Sequence, residues 1–425
     1  MYRVSIKHLD QWHKKKNRKP LIINGARQIG KSWLVRYFGE NTYSKNFVEL
    51  NFEKKPQLCK IFDRDLDIQR ILIEIEISEN VTIDTKTLLF LDEIQQCPKA
   101  IMALRYFYED HPKQAVIAAG SLLEFQLKDM PFPVGRVEIL HLFPMNFEEF
   151  LIATKNDKLL PYVQLKKKAS EVIENKIYHE LLNYYWVGGM PACVKEFVET
   201  KNYKTVRKIQ EDLLYTFQQD FSKYSPQVNK DCLLDILNSV SNNIGGQIIY
   251  SKLSERSSMP TIKKGVLVLA TAKIFTLVNN VSADSLPFTI SNKQFKALFI
   301  DIGLLLCVSK VNFESIFLNS DLNTNFTGAW AEQFVGQQLL ANHFQPLHYW
   351  ARTKANSSAE VDFLIEKEGK IIPIEVKSGK SGKLRSLHIL LSEHPNIKEA
   401  LIYSKAQDGR EGKLRFLPIY SAGIL

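Results

Sequence analysis

The chain has 425 residues, 45% hydrophobic and 24% charged, which is enough for several domains with ordinary cores and excludes a largely disordered protein. Lysine and arginine outnumber aspartate and glutamate by 56 to 46, so polyanions are favoured over polycations as partners. The five cysteines are widely spaced and form no zinc-binding pattern. We interpret them as reduced, mostly buried thiols of a cytoplasmic protein.

The N-terminal residues and the longest apolar stretches do not indicate export or membrane insertion. The first twelve residues lack the apolar core of a signal peptide. The stretches 265–278 and 297–308 contain Lys273 and Asp301, and both are shorter than the ~20 residues that a membrane helix needs. We therefore expect both stretches to be core elements and expect no membrane partner.

Residues 20–150 alternate short apolar runs with longer amphipathic stretches, which is the α/β pattern of a parallel sheet covered by helices. The predicted strands are 21–24, 47–51, 88–91 and 115–119.

The segment GARQIGKS, residues 25–32, matches the phosphate-loop pattern GxxxxGK[ST] and lies between a predicted strand and an amphipathic helix. Gly25 and Gly30 allow the backbone to approach phosphates closely. We expect Lys31 to reach the β- and γ-phosphates of ATP and Ser32 to coordinate Mg²⁺. The predicted nucleotide contacts are Gly25, Ala26, Arg27, Gln28, Ile29, Gly30, Lys31, Ser32 and Trp33.

A second acidic site follows the apolar run in TLLFLDE, residues 87–93. This is a Walker B pattern, in which two carboxylates end a buried strand. We expect Asp92 to hold Mg²⁺ through water and Glu93 to orient or activate the attacking water.

Two further residues are candidates for the catalytic machinery. Ser121 follows the next predicted strand, where it is either a sensor of the γ-phosphate or part of an ordinary turn. Arg136 is either an arginine that stabilises transition-state charge on a neighbouring subunit or a residue of a surface ion pair.

The remaining chain divides into three segments. Residues 151–225 have helical spacing with a GGMP break and predict a helical subdomain after the core of residues 1–150. Residues 226–312 contain short helical patterns and a hairpin, which is a winged-helix-like pattern. Residues 313–425 combine a helix near 330–342 with strands near 361–365 and 371–376, joined by a turn at 366–370.

The chain resembles the predicted prokaryotic AAA+ ATPases that carry a C-terminal domain of unknown function. The motifs that carry the resemblance are GARQIGKS, LLFLDEIQQCP, the GS after the next strand, VGR with LFPMNFEEF, and GGMP. The resemblance extends over nearly the whole chain. It implies an AAA+ core, a helical lid, a winged-helix-like segment and a restriction-endonuclease-like end.

The C-terminal segment also resembles the PD-(D/E)xK nuclease fold, with Asp362 on one strand and Glu375 and Lys377 on the next. Strand side chains alternate with period two, so Glu375 and Lys377 project to one face. Paired carboxylates there can bind a divalent ion, and Glu332 matches the helix acid of that family. Val361 precedes Asp362 where the motif has proline, so three interpretations remain: a nuclease, a nuclease fold that only binds DNA, or a hairpin with surface charges.

Three functions compete at this level. The first is an Mg²⁺-dependent ATPase that acts as a switch or motor on DNA through its C-terminal domains. The second is a nucleotide-controlled signalling or scaffold protein, in which ATP governs homo-oligomer assembly and the C-terminal domain docks a protein partner. The third is a metal-dependent nuclease regulated by ATP.

Overall fold

The computed structural model divides into two compact units, Met1–Phe143 and Pro144–Leu425. The predicted boundary at residue 150 therefore lies inside the first helix of the second unit, Phe147–Ala153. The residues that the structure describes are 1–121, 133, 135–221, 228–313, 324–352, 359–379 and 384–424.

The first unit is built on a five-stranded parallel sheet with the strand order β2-β3-β4-β1-β5. The four strands predicted from apolar runs are confirmed. The fifth was missed because it is mostly exposed or half-buried, with only Leu140 buried among its four residues. The strands are β1 (Leu21–Asn24), β2 (Phe47–Asn51), β3 (Leu88–Asp92), β4 (Ala115–Gly120) and β5 (Glu138–His141).

Helices cover this sheet and complete its core. Strands β1, β3 and β4 are buried along their whole length, which explains their continuous apolar sequences. A core of aliphatic and aromatic side chains from β2, β3, β4 and the last two helices forms on one face of the sheet. The helices are α1 (Ile6–Lys14), α2 (Lys31–Thr42), α3 (Ile68–Glu79) and α4 (Pro98–Asp110).

The second unit begins with a helical region that contains the GGMP break. Gly188 has φ +74°, and a Cβ there would lie 2.0 Å from Oδ1 of the buried Asp301. The other oxygen of Asp301 accepts a 2.6 Å hydrogen bond from the N–H of Gly189. The break thus admits a carboxylate that holds two distant segments together. The described helices of this unit are α5 (Phe147–Ala153), α6 (Leu160–Val163), α7 (Glu171–Val187), α8 (Pro191–Thr200), α9 (Tyr203–Gln219), α10 (Lys230–Asn242), α11 (Met259–Thr271), α12 (Ile302–Val308), α13 (Thr324–Ala341) and α14 (Arg385–Glu393).

An eight-stranded mixed sheet forms the rest of this unit, in the order β12-β13-β11-β10-β9-β8-β6-β7. The predicted C-terminal hairpin is confirmed as β9 and β10, with Lys367 paired to Lys370 across a turn at Glu368 and Gly369. The strands are β6 (Phe275–Ser282), β7 (Thr289–Phe299), β8 (His348–Ala351), β9 (Glu360–Lys367), β10 (Lys370–Val376), β11 (Ala400–Ser404), β12 (Gly409–Glu411) and β13 (Leu414–Pro418).

The hairpin β6–β7 requires a correction to the predicted domain division. It was assigned to a separate winged-helix-like segment, but β6 pairs in parallel with β8 of the C-terminal region. A boundary at 312/313 would therefore cut through one continuous sheet. The reason is that backbone pairing between distant segments leaves no local sequence pattern.

Two other predictions concern the whole chain. None of the helices in the described ranges is long and apolar enough to cross a membrane. All five cysteines are free thiols, and four of them are buried.

Candidate functional site

The predicted phosphate loop lies at the carboxyl end of β1 and leads into α2. A Cβ on Gly25 would lie 2.4 Å from both the carbonyl oxygen of Leu142 and Cδ1 of Ile29, so this position admits only glycine. Gly30 has φ +89° and is the N-cap of α2, where it offers no side chain to cover the helix N-terminus. A helix N-terminus of this kind favours bound anions.

Lys31 and Ser32 begin α2 inside this loop. Lys31 is buried, and its Nζ donates hydrogen bonds of 3.0 and 2.7 Å to the carbonyl oxygens of Gly25 and Ala26. The hydroxyl of Ser32 donates a 2.7 Å hydrogen bond to Oδ1 of Asp92. The two predicted motifs therefore meet at one place, as their chemistry requires.

Asp92 ends β3 with its side chain 3% exposed. Burial raises the pKa of this carboxyl, and the Ser32 hydrogen bond and the Arg36 charge oppose the rise. Its Oδ2 accepts hydrogen bonds from Asn51 at 2.8 Å and from Arg36 at 3.2 Å. The carboxylate is thus held at a defined position beside Ser32, which suits a ligand of Mg²⁺.

Glu93 follows Asp92 in the left-handed backbone conformation, with φ +52° and ψ +43°. This conformation ends the strand and turns the Glu93 side chain away from the path of β3. The side chain is half-buried, and its Oε2 accepts a hydrogen bond from the Gln95 amide. Glu93 is therefore a carboxylate held beside Asp92 with access to solvent.

Sequence reasoning missed three side chains of this site. Arg36 makes two hydrogen bonds of 2.8 and 2.7 Å to the Glu49 carboxylate and also contacts Asp92. Asn51 and Asp92 are register partners at the ends of β2 and β3. A signal was present, since Arg36 lies one helical turn after Ser32 and Asn51 ends a predicted parallel strand.

The two candidate catalytic residues outside the motifs lie at opposite edges of the sheet. Ser121 is buried directly after β4, at the carboxyl edge where Asp92 ends β3. Arg136 precedes β5, whose first residue pairs with the first residue of β1, so it lies at the amino edge. There its Nε forms a 2.8 Å ion pair with Glu109. Ser121 therefore lies at the same edge of the sheet as the phosphate loop and Asp92. Arg136 lies at the opposite edge, away from the phosphate loop of the same chain.

The remaining predicted nucleotide contacts have varied surroundings. The Ile29 side chain is fully buried, so only its backbone is available to a ligand. Gln28 has φ +62°, which shapes the loop. Trp33 is 39% exposed and stacks on Tyr37 at a centroid distance of 5.0 Å. Contacts of these residues and of Ala26 and Arg27 with a nucleotide stay predictions.

The C-terminal candidate residues also come together. We call Glu332, Glu360, Asp362 and Glu375 the C-terminal acid cluster. Glu375 and Lys377 project to the same face as predicted and form a 2.5 Å ion pair. Asp362 accepts a 2.7 Å hydrogen bond from the N–H of Val376, which links β9 to β10.

Lys296, which sequence reasoning missed, lies within this cluster. Its side chain is 2% exposed, and its Nζ lies 2.6 Å from Glu332, 2.6 Å from Glu360 and 3.6 Å from Asp362. Burial alone would lower the pKa of Lys296, but the surrounding carboxylates raise it above its ordinary value. Burial raises the pKa of Glu332 to about 8. The cluster is therefore centred on an ammonium that stays charged.

The fold and site of the first unit define a P-loop nucleotide-binding domain, with a phosphate loop and a Walker B strand on a parallel sheet. Residues 17–151 match the family model described as an AAA domain, which agrees with this fold and site. Two further models match residues 178–315 and 327–421, and both are described as domains of unknown function.

Two relatives from Methanocaldococcus jannaschii match much of the chain. The uncharacterized protein MJ1637 is 21% identical over 63% of this chain, and the match spans only 57% of that relative. The uncharacterized protein MJ1544 is 22% identical over 86% of this chain and 76% of its own length.

Among solved structures, the chain is similar to Aeropyrum pernix ORC1 in complex with DNA, with 9% identity, a TM-score of 0.28, and coverage of 73% of this chain and 93% of that one. AMPPCP-bound DnaA from Aquifex aeolicus gives 13% identity, a TM-score of 0.29, and coverage of 64% and 84%. TM-scores at this level carry no conclusion about function.

Proposed function

We propose that the chain is a Mg²⁺-dependent ATPase whose hydrolysis drives a switch or motor that acts on DNA. The observation that carries the ATPase part is the hydrogen bond between Ser32 and Asp92 beside Lys31 and Glu93. Lys31 precedes Ser32 at the start of α2, and Glu93 follows Asp92 at the end of β3, so residues with the chemistry of phosphoryl transfer flank both ends of this bond.

The residues present fit a nucleotide with its magnesium ion. Gly25 lies close to the backbone of Leu142, and Gly30 has a left-handed conformation. Because neither residue has a side chain, the backbone N–H groups of the loop are open to a phosphate. Ser32 and Asp92 supply oxygen ligands, which Mg²⁺ prefers. The ion would neutralise charge on the phosphates. Lys31 would exchange its loop carbonyl partners for phosphate oxygens.

Glu93 supplies the base in this scheme. Its carboxylate is close in sequence to the magnesium ligand but is half-exposed, so a water molecule can reach it. It would hold that water for attack on the γ-phosphate and accept its proton. Ser121, buried at the same edge of the sheet, would report the presence of the γ-phosphate.

The DNA part of the proposal is supported by charge. The net charge is +10. The second unit has a cleft of about 1310 Å³ lined by the aromatic side chains of Trp186, Tyr203 and Phe313. Five basic side chains line the same cleft, and they are Lys201, Lys204, Arg207, Lys208 and Lys310. Such a surface suits a phosphate backbone.

The ATPase part is tested by steady-state hydrolysis with the full chain. Lys31→Met should abolish hydrolysis and weaken ATP binding, whereas Lys45→Met, on the exposed surface of the same unit, should change neither. Unchanged hydrolysis in the Lys31 variant would refute the assigned mechanism.

The DNA part is tested by duplex affinity across a salt series. Reversing the charge of Lys204 and Lys208 to glutamate should weaken binding at least about tenfold and flatten the salt dependence. The same change at the exposed Lys167 and Lys168, in the same unit, is the matched control. Equal losses in both pairs would show that the cleft is no DNA site, and the ATPase test would be unaffected.

A further inference from the structure

The C-terminal acid cluster contains its own cation. The Nζ of Lys296 makes two ion pairs of 2.6 Å and a third at 3.6 Å, and it lies 5.7 Å from the centre of the Tyr349 ring. Three carboxylates from a helix and a strand thus converge on one point, and that point is the ammonium.

Lys296 is fixed there by its position in the sheet. It lies near the end of β7, and its side chain is almost completely buried. A buried ammonium that leaves its carboxylates loses compensation for its desolvation. Displacing Lys296 by a free metal ion therefore requires the burial of an unpaired charge or a rearrangement of the strand.

Three further oxygens of the cluster are engaged, and one of them is Oε2 of Glu360, which accepts a 2.6 Å hydrogen bond from the Gln247 amide. Oδ2 of Asp362 accepts the Val376 N–H, and Oε1 of Glu375 accepts from Lys377. Oε2 of Glu375 is a buried acceptor for which the described residues supply no hydrogen-bond donor. Within the part of the chain that the structure describes, no three His, Cys, Asp or Glu side chains are placed to hold a metal.

We infer that the Lys296 ammonium takes the place of a divalent metal ion in the C-terminal acid cluster, so that this nuclease-like site is closed by an internal ion pair. Lys296 comes from the region matching the 178–315 model, and the acids come from the 327–421 region. The cluster therefore joins the two matched regions instead of serving metal-dependent cleavage.

The test measures Mn²⁺ binding by the full chain. Every protein in the test also carries Lys31→Met, so that bound ATP does not contribute to Mn²⁺ binding. The chain with Lys296 should show no Mn²⁺ binding that depends on Asp362. Lys296→Met should unfold at a lower temperature in EDTA, because its carboxylates lose their counter-ion. Millimolar Mn²⁺ should bind this variant and restore part of the lost unfolding temperature, and adding Asp362→Asn should abolish that binding.

Lys370→Met is the matched control, since Lys370 begins β10 and is exposed outside the cluster. Binding of Mn²⁺ to the chain with Lys296 that disappears on Asp362→Asn would overturn the inference. So would a folded Lys296→Met variant that gains no Mn²⁺ binding. If Lys296→Met does not fold, Mn²⁺ binding is compared between two chains that keep Lys296, one with and one without Asp362→Asn. Equal binding by these two chains supports the inference, and weaker binding by the Asp362→Asn chain contradicts it.

Discussion

Ser32 and Asp92 lie 60 positions apart in the chain, yet the Ser32 hydroxyl donates a 2.7 Å hydrogen bond to Oδ1 of Asp92. Ser32 is in the first turn of α2, and Asp92 is the last residue of β3. The bond places the two predicted ligands of one magnesium ion in direct contact.

The first prediction concerns this contact. Ser32→Ala removes one of the two proposed magnesium ligands but adds no side chain that would disturb the loop backbone. We expect hydrolysis to fall at least about tenfold at fixed Mg²⁺. Ser78→Ala, near the C-terminal end of α3, is the control, because the exposed Ser78 donates its hydroxyl to the carbonyl oxygen of Ile75 in its own helix. Equal hydrolysis rates in the two variants would show that Ser32 is not a magnesium ligand.

The second prediction separates binding from hydrolysis. Glu93→Gln keeps the size of the side chain but removes the proposed base, so hydrolysis should fall by about 100-fold or more. ATP affinity should change little, since Asp92 and Lys31 are untouched. Fluorescent-nucleotide titration measures the affinity and phosphate release measures the rate. Glu53→Gln, an exposed acid of the same unit, should behave like the unaltered chain.

The third prediction concerns Arg36, which contacts both Glu49 and Asp92. Arg36→Met removes a positive charge that lowers the pKa of Asp92, and it leaves two carboxylates beside each other. Asp92 would then be oriented less well. We expect the Mg²⁺ concentration for half-maximal hydrolysis to change by about threefold or more. Arg36→Lys keeps the charge, so its Mg²⁺ requirement should lie between those of Arg36→Met and the unaltered chain. If Arg36 only stabilises the fold, neither substitution should change the Mg²⁺ concentration for half-maximal hydrolysis.

The fourth prediction concerns the pH dependence of stability. Burial raises the pKa of Asp301 to about 6 from an ordinary value of 3.8, although backbone hydrogen bonds oppose the rise. Because the carboxyl pKa is higher in the folded chain, the folded state is most stable at pH values below the pKa of the unfolded chain. This stability is lost as the pH rises through the pKa of the folded chain.

Relative to Asp301→Asn, the unaltered chain should therefore lose about 2 kcal/mol of unfolding free energy between pH 4 and pH 7. Urea unfolding of the second unit, followed at several pH values, measures this difference. A difference between the two chains that does not vary with pH would show that Asp301 titrates normally.

The fifth prediction concerns Arg136. Its ion pair with Glu109 is exposed, so Arg136→Ala should leave the unfolding temperature of the chain almost unchanged. If Arg136 serves a neighbouring subunit, the variant should lose ATPase activity only at protein concentrations where the unaltered chain assembles. Specific activity measured across a dilution series tests this. Equal activity of both chains at all concentrations would assign Arg136 to the surface ion pair alone.

The sequence predictions were accurate for elements that depend on neighbouring residues and less accurate for pairings between residues far apart in the chain. Strands β1 to β4 were placed within one residue. The strands β1, β3 and β4 are fully buried and have continuous apolar sequences, whereas β2 alternates buried and half-buried positions in a short, mostly apolar run. Strand β5 has only one buried residue, Leu140, and was missed. The hairpin β9–β10 was found because its turn and both strands are contiguous, whereas the pairing of β6 with β8 connects residues far apart in the chain.

The sequence by itself determined the phosphate loop, the Walker B strand and the grouping of Glu375 with Lys377. Glycine positions, apolar runs and period-two alternation are local constraints that can be read from neighbouring residues. Only the tertiary structure decided that Arg36 contacts Asp92, that Asp301 fills the GGMP break and that Lys296 lies among the C-terminal acids. These contacts depend on the burial of charges from distant segments, and a buried charge is stable only where the fold supplies its partners.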